Sequence, residues 1–452
     1  MVIAGLLAAL VVGVLVARHL VVGVTVMLAL VYVPVVLSDL AFGIAIWIPL
    51  IFLERVPAAG RAPAAVGIMV ALAWLATLPM RRHEVAATLR ENVGLAILMV
   101  CLVAWVSLST IWSVDPSSSV QTALLWWIAI GLLLIVATSL TKRRHLVLVC
   151  GGFVVGALFS VIAGVLPNVP LSSDVVGTAE AGRFVGSYGD PNFLAAGLVP
   201  ALALAAGLAT VVSTVRARVA LVATAIVLLV GLLATESRGG LVAAGVAVLA
   251  AMVLTRGRRL SVIAAVLVVV VLGALYLGAS STSGIDRIRE FGTGNGRVDL
   301  WRIAIRMGDA HPVDGVGIGG FPEEASKFLR RPGRLQSGQL GAQLVLRKPH
   351  ETHNMYLQMF AETGLVGLFL LIATALAALR STWLAIRSFE LGGDSRFAGM
   401  ARAVLVAQIS VLAASVFISN SSDKRTWLLL ALGPAALAVA RRGDGRTVGA
   451  HA

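Results

Sequence analysis

The chain has 452 residues, 59% of them hydrophobic and only 13% charged, with a mean hydropathy of +0.95. A soluble domain carries about 25% charged and about 45–50% apolar residues, so a water-soluble globule is excluded. The net charge of +14 does not mark a nucleic-acid binder, because the basic residues sit in short clusters between apolar runs, where they act as topology signals.

From the N-terminus, apolar runs long enough to cross or nearly cross a bilayer lie at 2–17, 20–37, 40–53, 64–80, 94–111, 120–140 and 145–166. A span needs about 20 apolar residues, and the first three runs are short of that. The leading run lacks a basic n-region and a small-residue cleavage site, so it reads as a retained helix rather than a signal peptide. Runs at 192–212, 218–235, 239–255 and 260–279 follow, then a polar stretch of 73 residues at 280–352, then runs at 353–379, 397–419 and 426–440. The expected fold is all-α: a polytopic integral membrane protein of about twelve to fourteen transmembrane helices. It divides into N-terminal helices (1–166), central helices (167–279), a large extracytoplasmic loop (280–352), C-terminal helices (353–441) and a cytoplasmic tail (442–452). Cys101 and Cys150 fall inside separate apolar runs and form no disulfide framework or metal motif.

Orientation follows the Lys and Arg of the short loops. Alternate loops hold Arg81, Arg82 and Arg90; Lys142, Arg143 and Arg144; Arg216 and Arg218; Arg256, Arg258 and Arg259; Arg380, Arg387, Arg396 and Arg402; and Arg441, Arg442 and Arg446. The loops between them hold Arg55, Arg61, Arg183, Arg238, Lys424 and Arg425, a ratio of 18 to 6 that places the first set in the cytoplasm. The long loop then faces outside. Its DLWRIAIRMGDAHP repeats apolar residues at helical spacing and predicts short amphipathic helices, ended by the glycines of DGVGIGGF.

Polar groups on the outer side are few, and each is informative. Arg183 precedes a helix that begins near Pro191-Asn192, Arg238 lies in a tight turn between two spans, Arg297 follows a glycine-rich turn, and His350 and His353 stand at the mouth of a span. Any one arginine reads equally well as a snorkelling anchor. Together they suggest a site for an anionic ligand, because the guanidinium fork matches phosphate oxygens and glycines let backbone N–H groups approach. No DxD, HExxH or Cys–His cluster recommends a metal, and no GxxxxGK[ST] recommends ATP-driven transport. No cofactor is expected.

The order GRFVGSYGDPNFLA, ESRGG, GRVDLWRIAIRMGDAHPVDGVGIGGF and HNMYLQMFAETGLVG, over residues 180–370, resembles the O-antigen ligase and polymerase superfamily of membrane glycosyltransferases. The resemblance implies a glycan donor on a polyprenyl diphosphate, a glycan, lipid or protein acceptor, and metal-free transfer at the outer face of the cytoplasmic membrane. It implies His353 as the catalytic residue and Arg183, Arg238 and Arg297 as donor-binding groups. Asn192, Trp301, His350, Asn354 and Glu362 are the candidate supporting residues. A glycosyl diphosphate carries its own leaving group, so the tasks left are to take a proton from an acceptor hydroxyl and to stabilise charge on the diphosphate. An imidazole titrating near about pH 6.5 suits the first, and arginines suit the second. Three other readings stand beside a ligase. One is a repeat-unit polymerase of the same superfamily. Another is a peptidoglycan-type polymerase using Asp299 or Asp309, against which the HN motif argues. The third is a lipid-glycan transporter, against which the nearly charge-free span interiors argue.

Overall fold

The computed structural model describes residues 30–166, 183–255, 297–329 and 351–448. The expected spans at 2–17 and 260–279, most of that at 20–37, and His350 lie outside the described residues. Every regular element among the described residues is helical: α1 (Leu40–Phe52), α2 (Ala62–Glu91), α3 (Val93–Leu108), α4 (Pro116–Ser139), α5 (Arg143–Val165), α6 (Pro191–Val211), α7 (Val215–Ala234), α8 (Arg238–Leu254), α9 (Arg297–Ala310), α10 (Phe321–Leu329), α11 (Met355–Leu391), α12 (Ser395–Ala414) and α13 (Lys424–Val448). Eight of these (α2 to α7, α11 and α12) are long and apolar enough to cross a membrane. The chain is an all-α polytopic membrane protein.

Local chemistry starts the helices where the sequence signals them. Asp115 before Pro116 and Asp190 before Pro191 each accept two backbone N–H bonds as N-caps, with proline at the first helical position. Small residues then permit close packing, the usual device where lipid removes the hydrophobic drive between helices. Gly152 on α5 packs directly on the backbone of Ala45 in α1, and Gly207 on α6 packs on Ala403 of α12. Leu428 to Leu432 and Ala435 to Leu437 of α13 are fully enclosed, whereas Val219, Val222, Ile226 and Val230 of α7 face outward.

Two helices outrun their apolar stretches. α2 continues through Arg81, Arg82 and Arg90, and α11 continues to Leu391, so Arg380 and Arg387 are helical rather than loop residues. Arginine, glutamate and alanine favour helix with or without lipid around them, and Arg81 pairs with Glu84 one turn on.

The two basic sets separate to opposite ends of the bundle. At one end Arg143 meets Asp394, Arg144 meets Asp39, Arg81 donates to the Thr138 carbonyl and Arg442 to the Glu84 carbonyl. At the other, Arg55 donates to the Tyr188 carbonyl, Arg183 to the Thr235 carbonyl, and Lys424 pairs with Glu54.

On that second end lie α9 and α10. Leu300, Ile303, Ala304 and Met307 of α9 form a small core with Val316, Phe321, Ala325, Phe328 and Ala361, the amphipathic pattern expected of the loop. The glycine turn between the two helices docks on α11 where that helix breaks, at Gly364 (φ 66°, ψ −167°). Val316 and Gly317 N–H bond the carbonyls of Ala361 and Glu362 at 3.0 and 2.9 Å, the Trp105 indole bonds that of Thr363 at 2.9 Å, and Leu365 N–H reaches Pro312 O at 2.8 Å. A β-carbon at Gly315 would overlap the Glu362–Thr363 backbone, so only glycine admits this approach.

Candidate active site

Arg183 and the turn that carries Arg238 meet at one node. Arg183 Nε donates to the Thr235 carbonyl at 2.9 Å, and its Nη2 lies 3.4 Å from Asn192 Oδ1. The same Asn192 oxygen accepts the Ser237 hydroxyl at 2.8 Å. Ser237 is the N-cap of α8, accepting the Gly240 N–H, and Arg238 is the next residue. Asn192 is buried on the first turn of α6, which Asp190 caps. Its side chain therefore joins the loop before α6 to the turn between α7 and α8. That turn reverses through Glu236 at φ 49°, and Gly240 closes it against Ala195.

His353 lies in a second node. It stands immediately before α11 with φ 50°, in the left-handed region. Asn354 is the N-cap, its Oδ1 accepting the Tyr356 and Leu357 N–H groups at 3.0 Å each. Met355 N–H reaches the carbonyls of Ser415 and Ile418 at 2.9 and 3.0 Å, which stitches the start of α11 to the end of α12. Thr352, fully buried, accepts the Asn354 N–H at 3.1 Å and donates its hydroxyl to the Asn354 carbonyl at 2.7 Å. From α9, the Trp301 indole donates to the Thr352 carbonyl at 3.1 Å.

Phe417 joins the nodes. Gly239, beside Arg238, packs so closely that a β-carbon there would lie 2.7 Å from Phe417 Cβ. The Phe417 ring centroid is 6.5 Å from that of Trp301. Arg183, Asn192, Arg238, Trp301, His353 and Asn354 thus share one end of the bundle through a continuous set of contacts. Arg297, half-buried, opens α9 four residues before Trp301, so the two share a helix face. Glu362 is placed elsewhere: its Oε1 accepts the Phe321 N–H at 3.4 Å and the Gln358 amide at 3.2 Å. It serves the N-terminus of α10 as a hydrogen-bond acceptor.

One carboxylate escaped the sequence reading. Glu351 reaches solvent, yet loss of hydration raises its pKa from 4.5 to about 7; Arg55 opposes the rise and Asp190 adds to it. No local pattern signals this, because the effect depends on chain segments 296 and 161 residues away from Glu351. Thr352 also went unnoticed, although a threonine two residues before a capping asparagine is a recognisable turn. Among the described residues, no three His, Cys, Asp or Glu side chains group closely enough to hold a metal ion.

Residues 223–372 match the family model described as O-antigen ligase, a stretch that includes Arg238, Arg297, Trp301, His353, Asn354 and Glu362 and begins after Arg183 and Asn192. No curated relative matches the chain.

Proposed function

Residues 223–372 match the O-antigen ligase family, and from that premise we propose that the chain is a member of that superfamily and a metal-independent membrane glycosyltransferase. It moves a glycan from a polyprenyl diphosphate to an acceptor hydroxyl at the outer face of the cytoplasmic membrane. His353 takes the acceptor proton as the hydroxyl oxygen bonds to the anomeric carbon. The bond from that carbon to the diphosphate breaks, and the electron pair leaves with the lipid carrier. Arg183 and Arg238, with Arg297 beside Trp301, bear the charge that develops there. Direct displacement inverts the anomeric centre, and the proton passes from His353 to water.

One observation carries this reading: the contacts from Arg183 through Asn192 to Ser237-Arg238, continued through Phe417 and Trp301 to the His353 turn. Phosphate-binding groups and a base have to share an end of the bundle for this chemistry.

The test is transfer from a polyprenyl diphosphate glycan in membranes, with the amount of each variant measured alongside. Loss of a general base costs about 10²–10⁴-fold in rate, so His353→Ala should nearly abolish transfer at normal membrane level. Transfer by His353→Ala near the wild-type rate would overturn the assignment. EDTA-treated membranes should keep their activity, and a loss that Mg²⁺ restores would refute the metal-independent step.

A further inference from the structure

The residue before His353 takes no part in that chemistry, yet its hydroxyl and its carbonyl are both engaged in the turn. Thr352 is completely buried, and its hydroxyl bonds both the N–H and the carbonyl of Asn354 while lying 3.4 Å from Ser419 Oγ. Its own carbonyl is taken by Trp301 Nε1. The peptide groups on both sides of His353 are thereby fixed, one by an indole of the outer loop and the other by the threonine hydroxyl. The backbone so fixed is left-handed, which a residue with a β-carbon adopts only when its surroundings impose it.

We propose that Thr352, braced by Trp301, is the positioning residue for the catalytic histidine: the hydroxyl closes the turn that fixes where the His353 imidazole leaves the chain. The inference rests on the reading of His353 as general base. It also gives α9 a role in catalysis. The outer loop contributes an indole N–H that holds the base-bearing turn, so loop and membrane bundle complete the site together. A hydroxyl that only stabilised the fold would act whether or not an imidazole stood beside it. A positioning hydroxyl has nothing to position once the imidazole is gone, and the two substitutions are then strongly non-additive.

Four single variants and one double variant separate these cases, with full-length protein in membranes and a polyprenyl diphosphate glycan as donor. Thr352→Val keeps the shape and removes the hydroxyl. It should lower kcat about ten- to hundred-fold with the donor KM unchanged, since a misplacement of about 1 Å costs up to about 10²-fold. Thr352→Ser should restore most of the rate. Trp301→Phe, which keeps a ring against Phe417 and loses the donor, should also lower kcat and leave KM alone. In a His353→Ala background, Thr352→Val should change the residual rate no further. The proposal is overturned by a wild-type kcat in Thr352→Val, or by an equal fold loss with and without His353. If Thr352→Val fails to reach the membrane, Trp301→Phe decides: a normal kcat overturns the proposal and a reduced kcat at unchanged KM supports it. A silent His353→Ala removes the base assignment together with this proposal. An inactive His353→Ala beside a normal Thr352→Val removes this proposal alone.

Discussion

His353 carries a β-carbon into a conformation that costs about 1–2 kcal/mol relative to the right-handed region. Glycine or asparagine would satisfy a turn there at lower cost, so the side chain rather than the backbone accounts for a histidine at this place. Arg183 makes a different demand, because it donates through two separate nitrogens to Thr235 and Asn192. Lysine offers a point charge without that fork. Hydrogen bonds to charged groups contribute about 1.5–3 kcal/mol, so Arg183→Lys and Arg238→Lys should slow transfer by about ten- to a hundredfold. Near-normal transfer by both would mark the arginines as membrane anchors. Glu351 sets a pH dependence. Its folded pKa of about 7 lies above the ordinary value of 4.5, so the folded state holds the proton more tightly than the unfolded chain does. Its contribution to stability is therefore complete below about pH 4.5 and is lost as pH rises through about 7. Thermal unfolding in detergent should show a drop in stability between about pH 4.5 and 7 that is smaller in Glu351→Gln, and an unchanged drop would count against the raised pKa.

Among the elements, most helix starts were legible from the onset of the apolar runs, and the start near Pro191 also from a local signal, a capping Asp190 before a proline at the first helical position. The extra length of α2 and α11 was not, since an apolar run marks the membrane portion of a helix and says nothing of its continuation in water. The break in α11 was hidden for another reason. The sequence ETGLVG reads as unbroken span, and Gly364 departs from helix only because the Pro312–Gly317 segment occupies the space and takes over the freed groups. Gly364→Ala would force a β-carbon onto the Val313 carbonyl in a region of backbone space that glycine alone occupies readily. It should cost at least about 1–3 kcal/mol, read as a lower melting temperature and less protein in the membrane. Gly245→Ala on α8 is the contrast, since a β-carbon there meets nothing within 4 Å. Alanine in a helix is favoured over glycine by about 0.5–1 kcal/mol, so Gly245→Ala should melt no lower than the parent.

At the scale of the whole molecule, the sorting of basic residues between loops was readable in the sequence because it follows from chain alternation alone. The pairing of helices was not, since α6 lies on α12 and α1 on α5 through small residues scattered along the chain. The orientation has a direct check. Val313 and Leu391 are well exposed at opposite ends. A cysteine at Val313 should react with an impermeant thiol reagent in intact cells and one at Leu391 only after permeabilisation, above the background from Cys101 and the buried Cys150. The reverse pattern would invert the topology and remove the outer-face reaction. The break in α11 also bears on biogenesis. The ribosome delivers residues 297–329 before 355–391, yet the glycine turn they contain bonds to carbonyls that do not exist until α11 has been made. Conversely, α11 enters the bilayer with the Ala361 and Glu362 carbonyls awaiting that turn, and a buried carbonyl left without a donor costs about 1–3 kcal/mol. The segment synthesised first is therefore seated last, so a chain halted between the two cannot close the end of the bundle that carries His353.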